Sequence, residues 1–115
     1  MISVFGSKVD QKELLEIQSS LQNQWMGIGP KTRQFEEAFA KRLSLPSFTL
    51  LNSGSNSLLM AVKLLNLPKG SEVIVPSFTR ISCAHSIILA GLKPIFCDVD
   101  LYTQNVTLET IEPCI

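Results

Sequence analysis

From residue 48 onward, short apolar runs alternate with segments of helical character: "FTLLN", "SNSLLMAVKLLN", "EVIVP", "TRISCAHSIILAG" and "KPIFCDV". Strands separated by helices of about a dozen residues cannot pair through a tight hairpin. They need crossover connections and so predict a parallel sheet with helices on its faces. Gly70 and Gly91 fall where helix-to-strand turns demand permissive backbone, and "LPKGSE" reads as a turn. The expectation is an α/β fold with parallel strands at 48–52, 72–76 and 93–99. Three strands make a narrow sheet with two edges, and near-continuous apolar runs such as "VIV" and "PIFC" require cover on both faces. The sheet therefore reads as incomplete.

Ahead of this alternation the pattern is helical. Asp10 is placed to cap "QKELLEIQSSLQ", in which Leu14, Ile17 and Leu21 share one face. "NQWMGIGP" interrupts, with two glycines and a proline around an exposed-looking Trp25. Pro30 then suits the first turn of "KTRQFEEAFAKRL", where Phe35, Ala38 and Phe39 form a second apolar stripe. Pro46 closes it, so residues 1–47 are expected to form an amino-terminal helical segment and residues 48–115 the strand–helix part. After Asp100 the reading is a loop, "LYTQN", and a short capped helix from Thr107.

Apolar residues make up 45% of the 115 and charged ones 17%, which argues for a buried core and against disorder. Ten basic residues balance ten acidic ones, leaving no excess to steer the chain to nucleic acid or an anionic membrane. No apolar run approaches the roughly 18–20 residues of a membrane span, and "MISVFGSKVD" has no signal-peptide character, so a cytoplasmic protein is expected. Cys83, Cys97 and Cys114 are widely spaced and outside any CxxC pair. They are read as apolar fillers, with Cys114 a candidate exposed thiol. His85 lacks a second imidazole or a carboxylate at ligand spacing and reads as a partly buried helix residue.

The densest cluster of small polar residues, "SGSNS" at 53–57, lies between a strand and a helix. The first amides of a helix lack intrahelical partners and sit at the positive end of its dipole, which suits a phosphate. Gly54 allows close approach, Ser55 and Ser57 add hydroxyls, and Asn56 offers its backbone and side-chain amides. An ordinary helix start capped by Ser53 or Ser55 remains the alternative. There is no GxxxxGK[ST], and "GIGPKT" follows no strand, so a Walker-type site is excluded. "VPSFTR" is a second such junction, with Thr79 as its cap. Asp98 and Asp100 in "CDVD" share one side of an extended segment; they can bind a metal or act as acid and base, with loop and cap roles favoured.

The ordered series "NQWMGIGPKTRQFEEAFA", "LNSGSNSLLMAVKLLNLPKGSEVIVPSFT", "AGLKPIFCDVD", "TQNVT" and "IEP" resembles the amino-terminal third of the DegT/DnrJ/StrS sugar aminotransferases, from about Val9 to Ile115. The resemblance implies part of the type I fold of pyridoxal 5′-phosphate enzymes, a mostly parallel sheet between helices, with 48–115 the first part of the large cofactor-binding domain. It implies a homodimer that transfers an amino group from an amino-acid donor to a keto group on a nucleotide-linked sugar, as in polysaccharide biosynthesis, with Trp25 to Pro30 a loop that reaches a neighbouring subunit's site and local packing of Trp25 the alternative. It assigns the cofactor phosphate to the turn at Ser53–Ser57, with Gly54, Ser55 and Asn56 the matching residues.

At the position of the family's ring-stacking aromatic this chain carries Arg80, a departure that changes how the ring is held. The family's Schiff-base lysine, the aspartate at the pyridine nitrogen and the partner of the phenolic oxygen lie downstream of the matched segment. Lys8, Lys12, Lys31, Lys41, Lys63, Lys69 and Lys93 match none of them. These 115 residues alone are therefore expected to be inactive. Two alternatives are a non-catalytic remnant or phosphate-binding partner protein, and a sugar dehydratase on the same fold in which a histidine replaces the lysine.

Overall fold

The computed structural model describes residues 6, 9–23 and 27–115, and these divide into two compact units, 1–50 and 51–115. Trp25, the first residue of the expected inter-subunit loop, lies outside the described residues.

In the first unit, α1 spans Gln11–Gln22 and α2 spans Pro30–Arg42. Asp10 caps α1 through a capping box: its carboxylate accepts the Lys12 amide at 2.8 Å, and Glu13 reaches back to the Asp10 amide at 2.8 Å. Pro30 opens α2, where a missing N–H costs nothing, and Lys41 and Arg42 complement the helix's negative end. Lys31 pairs with Glu16. The apolar stripe of α1 remains open, with Leu14, Ile17 and Leu21 each more than half exposed.

The expected strand at 48–52 does not form. The Phe48 ring packs on Phe39, with centroids 4.4 Å apart, and lies edge-on to Phe35. The Leu50 amide donates to the Glu36 carboxylate at 2.8 Å. A backbone donor spent on α2 cannot serve a sheet ladder, and the segment runs on unpaired to α3.

The second unit contains α3 (Gly54–Leu64), β1 (Glu72–Pro76), α4 (Ile81–Leu89), β2 (Lys93–Cys97) and the short α5 (Leu108–Ile111), which runs into a 3-10 turn at Glu112–Cys114. β1 and β2 pair in parallel, Glu72 opposite Lys93 through Pro76 opposite Cys97. The α/β architecture is thus present, with two strands where three were expected among the described residues. Val75, Ile87 and Leu92 form the core, flanked by Val62, Val73, Cys83 and Ala90. Strand alternation puts Val73 and Val75 on the face that α4 covers. Phe96 is left 58% exposed, so this sheet is not covered throughout.

Gly70 and Gly91 hold left-handed backbone at φ 83° and 80°, the conformation only glycine adopts cheaply. Their turns meet: the Gly70 amide donates to the Gly91 carbonyl at 2.9 Å. This contact gathers the start of β1 with the end of α4, and α3 packs along α4. The amino termini of both helices consequently lie at the opposite end, beside the carboxyl ends of the strands. Ligands bind at that end of open α/β sheets.

Candidate functional site

The first component is the start of α3. Ser53 is extended, with φ −163° and ψ 157°, and its hydroxyl accepts the Asn56 amide at 3.2 Å. Of the two expected caps, Ser53 is the one used. Its carbonyl takes two further donors, the Ser57 amide and the Ser57 hydroxyl, each at 3.0 Å. The Asn56 side-chain amide donates to the Asn52 side-chain Oδ1 at 2.6 Å.

These bonds divide the expected donors into two groups. Those of Asn56 and Ser57 are already engaged inside the cap. The amides of Gly54 and Ser55 have no intrahelical acceptor, and none of the bonds uses the Ser55 hydroxyl. A Cβ built on Gly54 meets nothing within 4 Å, so the approach to these amides is open. Two amides and one hydroxyl are thus uncommitted among the described residues at the positive end of the helix dipole, and the residues present fit a phosphate group. A shallow cleft of about 210 Å³ runs alongside, lined by Asn52, Asn56, Leu59 and Met60. Asn52 was not among the expected residues; its spacing of four from Asn56, straddling the cap, is the signal that pairs them.

The second component is the start of α4. Thr79, the expected cap, does not cap it: its hydroxyl lies 3.4 Å from the Cys83 sulfur instead. Arg80 occupies the cap position, with extended backbone at φ −70° and ψ 140° and no side-chain bond to the helix. Its carbonyl accepts the Cys83 amide at 3.0 Å, while its side chain is exposed. Arg80 and the Gly54–Asn56 turn lie at the same end of two packed helices, and no hydrogen bond joins them among the described residues.

The third component is the segment after β2. Asp98 accepts the Val99 amide at 2.8 Å, and Asp100 accepts the amides of Thr103 at 2.7 Å and Tyr102 at 3.2 Å. Asp100 thereby fixes the loop, with Gln104 in left-handed backbone at φ 55°. The Thr103 amide, then the Thr103 hydroxyl and the Tyr102 amide, hold the Asp100 carboxyl below its ordinary value. Each aspartate commits its Oδ1 to loop amides, and no cluster of metal-ligating side chains occurs among the described residues. A cleft of about 360 Å³ separates this loop from Ser77 and Phe78. Cys97 is buried and Cys83 half-buried; Cys114 is half-buried rather than open, and His85 is exposed rather than partly buried. No helix among the described residues is long and apolar enough to cross a membrane.

Comparison with known proteins places this geometry. The chain is 36% identical over 113 residues to a dTDP-4-dehydro-2,3,6-trideoxy-D-glucose 4-aminotransferase of Saccharopolyspora spinosa, covering 96% of this chain and 29% of that protein. It is 32% identical to the spore coat polysaccharide biosynthesis protein SpsC of Bacillus subtilis, covering 93% and 28%. Its structure superposes on the GDP-4-keto-6-deoxy-D-mannose-3-dehydratase of E. coli, solved with bound hydrated pyridoxal phosphate. That match has a TM-score of 0.86 at 30% identity and covers 96% of this chain and 30% of that one. It also matches the aminotransferase TlmJ of Streptoalloteichus hindustanus, with a TM-score of 0.82 at 30% identity, covering 100% and 32%. The chain thus spans less than a third of the length of the relatives it matches. The model of the DegT/DnrJ/EryC1/StrS aminotransferases matches residues 7–115, nearly the whole sequence, and the chain belongs to that family.

Proposed function

We propose that these residues form the phosphate-holding part of a cytoplasmic, homodimeric pyridoxal-phosphate enzyme that transfers an amino group from an amino-acid donor to a nucleotide-linked keto sugar. One observation carries the reading: within a segment of this family, the Gly54 and Ser55 amides and the Ser55 hydroxyl take part in no hydrogen bond among the described residues, and the space beside Gly54 at the start of α3 is open. The relative from S. spinosa is by name a nucleotide-sugar aminotransferase, which supports the substrate class.

In this reading Gly54 and Ser55 donate to the cofactor phosphate, and Ser53 and Asn52 hold Asn56 so that the turn keeps its shape. Asn56 contributes its amide where the 3.2 Å bond to Ser53 gives way to the stronger, charged acceptor. Arg80 takes the family's ring-side position. When bound, the cofactor supplies the electron sink for amino-group chemistry. The chain's own share is to bind and orient it.

The test uses the native gene product. It should retain pyridoxal phosphate through dialysis and convert a nucleotide-linked keto sugar to its amino form at the expense of glutamate. Ser55→Asp should weaken retention strongly, since it sets an anion against a phosphate, while native secondary structure persists. Unchanged affinity would remove Ser55 from the site. The dehydratase match favours a second reading on the same fold. It predicts loss of a sugar hydroxyl with no amino group gained, and product mass separates the two. Cofactor retention with neither reaction would indicate a non-catalytic binding protein.

A further inference from the structure

The basic residues of 51–115 are unevenly placed along the strand direction, while carboxylates lie at both ends, Glu72 at one and Asp98 and Asp100 at the other. Lys63 lies in the last turn of α3, Lys69 in the turn that follows, and Lys93 at the first position of β2, where it pairs with Glu72. All three belong to the end where the strands begin. Arg80 is the single cation at the other end and the only arginine of this segment. Among the described residues its guanidinium has no ion-pair partner.

Its location is locally unfavourable on two counts. Cap positions favour Ser, Thr, Asp or Asn, whose oxygens satisfy a free amide; Arg80 offers no acceptor, and α4 starts without a side-chain cap. A cation at the positive end of a helix is also repelled by the dipole. Local rules broken without compensation inside the fold mark sites whose compensation comes from a ligand. An anion at this end would relieve both.

The start of α3 poses the complementary problem. A phosphate there would meet two amides and a hydroxyl but no positive charge. α3 and α4 are packed neighbours, with axes roughly 8–10 Å apart at such contacts, and both begin at this end. We infer that Arg80 is an anion-binding positioning residue that supplies the counter-charge for a phosphoryl group at the start of α3. The inference rests on the reading of α3 as a phosphate site. A guanidinium fork matches phosphoryl oxygens in pairs, as an aromatic side chain cannot. Two sources carry this chemistry, the phosphate of the cofactor and the diphosphate of a nucleotide-linked sugar.

The experiment measures binding of two probes to the native gene product, pyridoxal 5′-phosphate by absorbance and UDP by calorimetry, each at low and high salt. Arg80→Gln should weaken one probe by roughly tenfold or more, the worth of a charge-assisted hydrogen bond, and flatten its salt dependence. Arg80→Lys should recover part of the loss. Loss for pyridoxal phosphate alone assigns the cofactor phosphate; loss for UDP alone assigns the nucleotide. Unchanged affinities and salt dependence for both probes would overturn the inference. So would an Arg80→Phe variant that binds pyridoxal phosphate as tightly as the native protein, since it would show a ring-stacking position indifferent to charge. If Gly54→Ala and Ser55→Asp still weaken cofactor binding in those cases, the α3 site survives and only the role of Arg80 falls. A native protein that binds neither probe would overturn both readings together.

Discussion

Gly54→Ala separates what the fold requires of residue 54 from what a ligand requires. Gly54 is the first residue of α3, its φ lies outside the left-handed region, and an added Cβ meets no atom within 4 Å. The chain's own structure thus gives no reason for glycine. In a helix interior alanine is favoured over glycine by about 0.8–1.0 kcal/mol, so at this first position unfolding stability should be unchanged or rise by up to about 1 kcal/mol. Binding should move the other way. Cβ atoms tilt toward the amino end of a helix, which here is the side from which an anion approaches. An oxygen bonded to the Gly54 or Ser55 amide needs a separation of about 2.9 Å, and a methyl group beside it holds the oxygen away. Loss of one hydrogen bond to a charged acceptor is worth about 1.5–3 kcal/mol, or roughly a tenfold to hundredfold fall in affinity for pyridoxal phosphate. Urea unfolding followed by circular dichroism and a cofactor absorbance titration on the same preparation measure both quantities. Equal cofactor affinity in variant and native protein would refute the placement of the phosphate. A clear loss of unfolding stability would refute the account of the open space.

Two further outcomes test the scaffold. Ile87, 4% exposed and packed with Val75 and Leu92, should cost about 2–5 kcal/mol as Ile87→Ala through lost burial and the cavity left behind; a urea midpoint that does not move would show the core to be elsewhere. Asp100 has a folded pKa below its ordinary value of 3.8. Its contribution to the 100–105 loop is therefore present above that value and lost as pH falls through the lower folded pKa. Protection of the Tyr102 and Thr103 amides, taken relative to the intrinsic exchange rate at each pH, should fall only below that ordinary value, and a loss of protection beginning near neutral pH would show that another group holds the loop.

Much of this architecture is governed by forces acting within a few residues, and that part was legible in the sequence. Asp10 and Thr107 mark helix starts because a cap satisfies amides only two or three positions ahead, Pro30 because its missing N–H costs nothing in a first turn, and the start of α3 was legible as Ser53 or Ser55. Gly70 and Gly91 mark turns because no other residue adopts their backbone cheaply. The alternation of "EVIVP" and "KPIFC" with one intervening helix fixed a parallel pair, since so long a connection excludes a hairpin. The order of small-residue motifs likewise pointed to the family.

Tertiary contacts decided what remained. "FTLLN" has strand composition, but its Leu50 amide found Glu36, fourteen residues back, and its Phe48 ring found Phe39. No local rule encodes that choice. Thr79 has cap chemistry, yet the chain enters α4 one residue later, so the cap falls to Arg80. The sequence offered every donor of "SGSNS" to a ligand alike. Only the folded turn, by engaging Asn56 and Ser57 within the cap, leaves Gly54 and Ser55 as the free ones. A hydrogen-bond donor is available to a ligand only if nothing in the chain has taken it, and that depends on where every nearby acceptor comes to rest.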